Sequence, residues 1–249
     1  MEVLKDRVAV ISGAVGEIGQ AIGLRFARKG AKVVVSDTDK IKIDELVARI
    51  QAEGGQAIGI ATNAARSGDV KALVAKVIDQ NSRIDILINN MDCPGGKPIA
   101  ELSDEDWDDC IAVNLNSVFY FCREVLPKMR EQKYGRIINV GSLDYIGWPG
   151  KANYSAAKSA IFGLTRSLAL ESAKDDVTVN CVAKGDLRSA DMSDEQAEKL
   201  AAAIPVKKLG TPEDVARAVG YFASDASGYV TGQTFFVCGG KSAHFSMSI

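Results

Sequence analysis

The sequence has little of what several kinds of site require. Its 249 residues include one histidine, His244, and five widely spaced cysteines that form no Cys-x-x-Cys pair. We therefore expect no disulfide framework, no zinc site and no histidine-based catalytic triad. The cysteines are interpreted as small apolar residues of the core. They are Cys93, Cys110, Cys122, Cys181 and Cys238.

The sequence also lacks an excess of charge of one sign. Lys and Arg number 30 and Asp and Glu number 32, and they are interspersed along the chain. No basic stripe or polybasic arm results, so we expect neither a nucleic-acid partner nor a membrane partner. The N-terminal residues 1–7 have the wrong order and length for a signal peptide, and no apolar run of about 18 residues follows. We expect a cytoplasmic protein.

The apolar content is sufficient for one large core. Hydrophobic residues make up 47% of the chain, and alternating α/β domains reach this length without splitting. No repeat, low-complexity linker or shift in composition marks a boundary. We predict a single domain over residues 1–249.

A glycine-rich turn between a strand and a helix is the first chemical signal. The apolar run 7–12 is followed at once by Gly13-Ala-Val-Gly16-Glu-Ile-Gly19, and a second apolar run, 32–36, ends at Asp37. Glycines let the backbone approach a pyrophosphate, a helix N-terminus faces its charge, and a carboxylate accepts from ribose hydroxyls. The unit predicts a dinucleotide site, with an unoccupied tight turn as the alternative. Because Asp37 would repel a 2′-phosphate, NAD is favoured over NADP.

Apolar strands and amphipathic helices alternate along the chain. Such alternation predicts an α/β fold with a doubly wound parallel sheet of about seven strands and helices on both faces. A capping box at Ser103 predicts the start of one long helix that ends near Gln132 and carries Asn114 in its middle. Ser67 is predicted to cap another helix. The remaining predicted elements are helices at 41–53 and from 212, and strands at 57–61, 84–89, 136–140, 177–182 and 233–237.

The stretch 142–158 brings a hydroxyl, a phenol and an ammonium into order. Tyr154 and Lys158 are four residues apart in an Ala-rich run typical of a helix, so both side chains project from one face. A nearby positive charge favours the anionic form of a phenol and so lowers its pKa. Tyr154 is therefore a candidate general acid/base. Any surface helix can carry Tyr and Lys at this spacing, so the pair alone does not decide.

Several motifs in order resemble the short-chain dehydrogenases/reductases from Arg7 to Gly240. The resemblance implies a single-domain Rossmann fold and hydride transfer between an alcohol or ketone and a nicotinamide cofactor. The motifs are Ser12-Gly-x-x-Gly-x-x-Gly19, Asp37, Asn89-Asn90, Asn114, Ser142, Tyr154-x-x-x-Lys158, Val179-Asn180 and Gly232-Gln233.

The resemblance also implies roles for individual residues. Tyr154 would exchange the proton with the substrate oxygen, and Ser142 would hydrogen-bond that oxygen. Lys158 would hold the nicotinamide ribose and stabilise the phenolate, while Asn114 would place a water linking Lys158 to solvent. The residues implied to bind NAD are Ser12, Gly13, Gly16, Ile18, Gly19, Asp37, Asn63 and Asn89.

Departures from the family pattern are concentrated around the cofactor site. The chain has Glu17 in place of a glycine, Asn63-Ala64 in place of Asp-Val, Met91-Asp92 in place of Ala-Gly, and Lys184-Gly185 in place of Pro-Gly. Glu17 and Asp92 add carboxylates where the pyrophosphate and ribose should lie. A carboxylate about 5 Å from one phosphate charge costs roughly 3 kcal/mol at an effective dielectric constant near 20. That cost weakens binding by on the order of a hundredfold. The interval from Ser142 to Tyr154 is also one residue shorter than usual.

Two functional hypotheses therefore stay open. The chain is either an active NAD-dependent dehydrogenase or a pseudoenzyme subunit that assembles with an active sister chain. The sequence also resembles subunits of a two-component dehydrogenase that oxidises an acyl-CoA thioester, in particular the subunit with degraded cofactor motifs. This narrower resemblance implies an acyl-CoA or other small-molecule substrate and a homologous partner subunit.

Two further expectations concern a flap and assembly. The polar segment 184–206 follows the C-terminal end of a strand, where open α/β sheets bind ligands, and is predicted to form a mobile flap over the substrate. The helices beginning at 103 and 152 carry apolar residues on more than one face. The family pairs these helices across a two-fold axis, so we expect a tetramer, either of identical chains or with a sister chain. The apolar residues concerned are Val118, Phe119, Phe121, Ile161, Phe162 and Leu164.

Overall fold

The computed structural model describes residues 3–246, and within them seven strands form one parallel sheet. The strands are β1 (Val8–Ser12), β2 (Lys32–Asp37), β3 (Gln56–Ala61), β4 (Ile86–Asn89), β5 (Gly135–Ser142), β6 (Val177–Lys184) and β7 (Thr234–Val237). Their order across the sheet is β3-β2-β1-β4-β5-β6-β7. The chain moves outward from β1 to β3 and then returns to the other side of β1. The switch point lies between β1 and β4, where doubly wound sheets bind ligands.

Helices cover both faces of this sheet. The helices are α1 (Glu17–Arg28), α2 (Lys40–Ala52), α3 (Ser67–Asn81), α4 (Asp104–Ile111), α5 (Ser117–Gln132), α6 (Ala152–Ser172), α7 (Asp194–Ala202), α8 (Pro212–Ala223) and α9 (Lys241–Ser246). Alternate residues of β1 enter opposite layers: Ala9 and Ile11 pack in one core cluster with α1, α2 and α8, and Val8 and Val10 pack in the other with α3, α5 and α6. The predicted doubly wound α/β class is confirmed.

The long helix predicted from Ser103 is interrupted. Its capping box is present, since the Ser103 hydroxyl accepts from the Asp106 N–H and the Asp106 carboxylate accepts from the Ser103 N–H. A wider π turn, Ala112–Asn116, then separates α4 from α5. Within this turn the Asn114 amide donates to the Cys110 carbonyl, the acceptor four residues earlier that a regular α-helix pairs with a backbone N–H.

Two smaller expectations are wrong. Ser67 does not cap α3, because it is the first helical residue and the capping position belongs to Arg66, whose side chain makes no cap hydrogen bond. Cys93 is exposed rather than part of the core, whereas the other four cysteines are buried and free.

The apolar residues predicted to support assembly lie partly in the core and partly at the surface. Val118, Phe121 and Ile161 are buried within their own chain, so they do not support an interface. Phe119 is 45% exposed, and on α6 Leu170, which the sequence did not single out, is 84% exposed. The predicted tetramer stays a prediction that now rests on fewer side chains. None of the helices in residues 3–246 combines the length and the apolar character of a membrane span.

The turn after β1 leaves no space for a side chain at Gly19. A Cβ atom there would lie 2.3 Å from the Gly13 carbonyl oxygen, whereas one at Gly163 in α6 would meet no atom within 4 Å. We expect Gly19→Ala to lower the free energy of unfolding by about 1–3 kcal/mol, because a packed backbone must move. Gly163→Ala, the matched control, should raise it by roughly 0.5–1 kcal/mol. Urea denaturation of both variants measures the difference, and equal effects would contradict the prediction.

Candidate active site

A cavity of about 910 Å³ lies at the carboxyl ends of the strands. Parallel registers align these ends, with Ser12 beside Asn89 across β1 and β4, and Ser142 beside Lys184 across β5 and β6. The cavity wall includes the glycine turn after β1, the loop after β4, Ser142 and Lys184. It therefore spans the switch point of the sheet, the position expected for a ligand in this architecture.

Tyr154 and Lys158 occupy successive turns of α6, as predicted. Both residues are buried, with 2% and 1% of their surface exposed, and the Lys158 Nζ lies 5.3 Å from the centre of the Tyr154 ring. Ser142 is buried at the end of β5, and its hydroxyl accepts from the Asp144 N–H at 3.1 Å. Of these three residues Ser142 lines the cavity, whereas Tyr154 and Lys158 lie on α6 close to one another.

A carboxylate lies between these groups. The Tyr154 hydroxyl donates to Asp92 Oδ1 at 2.7 Å, and the Lys158 Nζ is 3.2 Å from the same oxygen. Lys184 Nζ is 3.0 Å from Asp92 Oδ2, and Lys158 also donates to the Met91 carbonyl at 3.1 Å. We call Asp92, Tyr154, Lys158 and Lys184 the Asp92 network.

In this network the pKa of Tyr154 shifts in the direction opposite to the one predicted. Burial and the Asp92 carboxylate, which accepts the phenol's proton in a hydrogen bond, raise the pKa of Tyr154 well above its usual value of about 10. The expectation that Lys158 lowers this pKa is wrong. Burial also lowers the pKa of Lys158, although Asp92 opposes that shift. Tyr154 is therefore a protonated donor at neutral pH.

Asp92 itself stays ionised. Burial disfavours its charged form, but the charges of Lys158 and Lys184 and the hydrogen bond from Tyr154 outweigh that effect, so the pKa of the Asp92 carboxyl falls well below 3.8. Asp92 is the acceptor of the network, and the two lysines surround it from β6 and α6.

Asn114 holds the loop that carries Asp92. Its Oδ1 accepts from the Cys93 N–H at 3.1 Å, and its Nδ2 donates to the Cys93 carbonyl at 2.9 Å and to the Cys110 carbonyl at 3.0 Å. These contacts fix the residue next to Asp92. The water-placing role implied for Asn114 stays a prediction.

Four of the residues implied to bind a dinucleotide line the cavity: Gly13, Gly16, Ile18 and Asp37. The carboxylate of Asp37 is oriented by backbone donors. Its Oδ2 accepts from the Val15 N–H at 3.3 Å, and its Oδ1 accepts from the Thr38 N–H at 2.8 Å. The role of these four residues in binding a dinucleotide stays a prediction.

The other four residues support the walls of the cavity without lining it. Ser12 donates to the Ile88 carbonyl, and Asn89 donates to the Asn139 side chain. Asn63 accepts from the Ala65 N–H at the end of β3, and Gly19 lies under the glycine turn.

The segment 184–206 faces the same cavity. Glu17 Oε1, in the first turn of α1, accepts from the Ala190 N–H at 3.1 Å and so ties this segment to the helix N-terminus. Helix N-termini favour a negative charge, and here Glu17 supplies one from the chain itself. The segment's lining residues are Lys184, Gly185, Asp186, Leu187, Ser189, Met192, Lys199, Leu200 and Ala203. Its action as a substrate flap stays a prediction.

Two ion pairs at the cavity wall were missed from the sequence. Lys151 Nζ lies 2.7 Å from Asp144, and Lys241 Nζ lies 2.6 Å from Asp186. Asp186 and Lys241 are far apart in the chain and carry no motif, so no spacing signal could have paired them. In the part of the chain that the structure describes, no cluster of His, Cys, Asp and Glu could hold a metal ion.

Comparison with known proteins identifies the family. The model of the family described as Enoyl-(Acyl carrier protein) reductase matches residues 13–242. A crystal structure of a short-chain dehydrogenase/reductase from Burkholderia xenovorans superposes with a TM-score of 0.92 at 33% identity, covering 97% of this chain and 98% of that one. The chain is a member of the short-chain dehydrogenase/reductase family.

Individual relatives of this dehydrogenase/reductase act on acyl thioesters. Two are subunits BbsC and BbsD of (2S)-[(R)-hydroxy(phenyl)methyl]succinyl-CoA dehydrogenase from Thauera aromatica. BbsC is 44% identical over 98% of this chain and 97% of its own, and BbsD is 40% identical over 96% and 98%. A 3-oxoacyl-[acyl-carrier-protein] reductase from Synechocystis is also 40% identical, over 96% and 98%. Both resemblances stated from the sequence, to the family and to this dehydrogenase, are confirmed.

The residues of this dehydrogenase/reductase fit a nicotinamide cofactor only in part. The family resemblance implies that Lys158 holds the nicotinamide ribose and that Tyr154 carries the proton. Both side chains are instead engaged by Asp92 at hydrogen-bonding distance. The nicotinamide side of the site therefore does not fit the cofactor as it stands, whereas Gly13, Gly16 and Asp37 line the cavity where the adenosine side is predicted.

Proposed function

We propose that this chain is a subunit of an NAD-dependent short-chain dehydrogenase that oxidises the secondary alcohol of an acyl-CoA thioester to a ketone. In this proposal the chain assembles with a homologous active subunit and binds NAD weakly or not at all. The observation that carries the proposal is Asp92, whose carboxylate accepts from Tyr154 and lies 3.2 Å from Lys158.

The relatives support the proposed substrate class. BbsC and BbsD are two different subunits of one dehydrogenase named for a hydroxylated succinyl-CoA, and both align with almost the whole of this chain. A pair of homologous subunits supports a hetero-oligomer in which one chain need not perform the chemistry. We assign this dehydrogenase to anaerobic toluene breakdown, where its substrate would be a hydroxybenzylsuccinyl-CoA.

The chemical reason for weak cofactor binding is the charge around the site. Asp92 forms an ion pair with Lys158, the residue that the ribose would contact, and Glu17 adds a second carboxylate at the N-terminus of α1. Glu17 would repel a phosphate of a dinucleotide, whereas Asp92, whose charge is offset by Lys158 and Lys184, would block the ribose contacts.

A second candidate function is an ordinary active NAD-dependent dehydrogenase. The observation favouring it is that Asn114, Ser142, Tyr154 and Lys158 are all present and that Ser142 borders a large cavity. On this alternative, Asp92 would have to leave Tyr154 before the phenol could exchange a proton with a substrate oxygen.

A fluorescence titration of the isolated chain with NADH tests the proposal. We expect a dissociation constant above about 1 mM, an affinity at least 1,000-fold weaker than micromolar, which corresponds to roughly 4 kcal/mol. The complex with its sister subunit, titrated in parallel, should bind tightly and is the positive control. Because Asp37 would repel a 2′-phosphate, NADPH should bind no more tightly than NADH in either sample. Micromolar NADH binding by the isolated chain would return the function to the active dehydrogenase.

A further inference from the structure

Two of the departures from the family pattern contact each other. Asp92 follows β4, and Lys184 ends β6, two strands away across the sheet. In the folded chain Lys184 Nζ lies 3.0 Å from Asp92 Oδ2. A new carboxylate and a new ammonium, each in place of an uncharged residue, thus meet at the cavity wall.

We propose that Asp92 and Lys184 are a paired replacement for the nicotinamide end of the cofactor, which makes Tyr154 and Lys158 structural partners of the chain's own carboxylate. This inference rests on the proposed function and explains how the site remains intact without a ligand. It assigns to Asp92 the contacts that a bound cofactor would otherwise make.

The need for such a replacement begins with Lys158. Its ammonium is almost completely buried, and a buried charge is costly unless it is paired and hydrogen-bonded. The contacts that satisfy it here come from Asp92 and from the Met91 carbonyl. A cofactor ribose would offer hydroxyls, but only while the cofactor is bound. Asp92 offers a full counter-charge permanently.

Lys184 pairs with the second carboxylate oxygen of Asp92. Oδ1 accepts a hydrogen bond from Tyr154 and forms an ion pair with Lys158, and Oδ2 forms an ion pair with Lys184. Without Lys184, Oδ2 of this carboxylate, whose side chain is 30% exposed, would lose its ion pair.

The same loop accounts for the retention of three family residues. Asn114 binds the backbone of Cys93, Lys158 binds the Met91 carbonyl, and Tyr154 binds the Asp92 side chain. Each therefore fixes one residue of the loop 91–93. Residues that the family uses for chemistry are kept here because they hold this loop against the sheet.

A thermodynamic cycle tests the pairing. Tyr154→Phe is made in the unaltered chain and in Asp92→Gly/Lys184→Pro, and thermal midpoints are compared. In the unaltered chain we expect a fall on the order of 5 °C, because a hydrogen bond to a carboxylate is lost. In the double variant the fall should be less than half as large. Tyr134→Phe, which removes a hydrogen bond to Asp225 far from the cavity, is the control and should cost the same in both backgrounds.

The double variant should also bind NADH at least about tenfold more tightly than the unaltered chain. If Asp92→Gly/Lys184→Pro does not fold, Asp92→Asn provides the second background for the cycle. Equal losses from Tyr154→Phe in both backgrounds, or no gain in NADH affinity, would overturn the inference. Micromolar NADH binding by the unaltered chain would instead overturn the proposed function, so the two failures are distinguishable.

Discussion

Replacing Tyr154 by phenylalanine in this chain should leave the turnover of the assembled dehydrogenase within about twofold of the unaltered enzyme. On the proposed function, the phenol, which donates to Asp92 at 2.7 Å and has a raised pKa, takes no part in the reaction. The same substitution in an active subunit removes the proton donor and should lower turnover by several orders of magnitude.

The matched control is the equivalent Tyr→Phe change in the sister subunit of the same complex. Steady-state rates of both variant complexes are compared after light scattering has shown that each keeps its assembled mass. Loss of activity from Tyr154→Phe in an intact complex would establish that this chain performs the reaction. Retained activity in both variants would mean that neither tyrosine is the proton donor of the reaction.

The fold was predictable because the strands are short, apolar and separated by amphipathic helices. The predicted helix and strand boundaries agree with the structure to within about two residues. The strand predicted to begin at Ile84 begins at Ile86, and the preceding Asp85 is held by its carboxylate, which accepts from the Val8 N–H. A sequence window cannot reveal such a contact, because Val8 lies in another strand.

The interruption at Asn114 was not predictable for a related reason. The residues around it have ordinary helical composition, and the π turn accompanies hydrogen bonds from the Asn114 side chain to Cys93 and Cys110. Cys93 belongs to the loop after β4, so its contribution exists only in the folded chain.

The candidate site was predicted in position but not in electrostatics. The spacing of Tyr154 and Lys158 placed both on one face of α6, and that geometry is present. The sign of the tyrosine's pKa shift depends on Asp92, a residue far away in sequence. Asp92 was identified as a charge that opposes the cofactor, yet nothing in its neighbours indicated contact with Tyr154. The spacing of Tyr154 and Lys158 alone therefore predicted a pKa shift of Tyr154 in the wrong direction.

Replacing Asp92 by asparagine should lower the free energy of unfolding by about 3 kcal/mol at pH 7, because it leaves the buried Lys158 ammonium without a counter-charge. For a chain of this length the thermal midpoint should fall on the order of 10 °C. Asp144→Asn, which breaks the half-exposed pair with Lys151 at the same cavity, is the control and should cost at most about 1 kcal/mol.

The pH dependence distinguishes a charge effect from a packing effect. The pKa of Asp92 is lowered in the folded chain, so its ionisation stabilises the fold above the unfolded value, and this contribution is lost as the pH falls through the folded value. Thermal midpoints of the unaltered chain and the Asp92→Asn variant, measured from pH 7 down to pH 2, should therefore converge below about pH 4, where the carboxyl of the unfolded chain begins to protonate. A difference between the two chains that stays constant over this range would mean that shape, not charge, holds Lys158 in place.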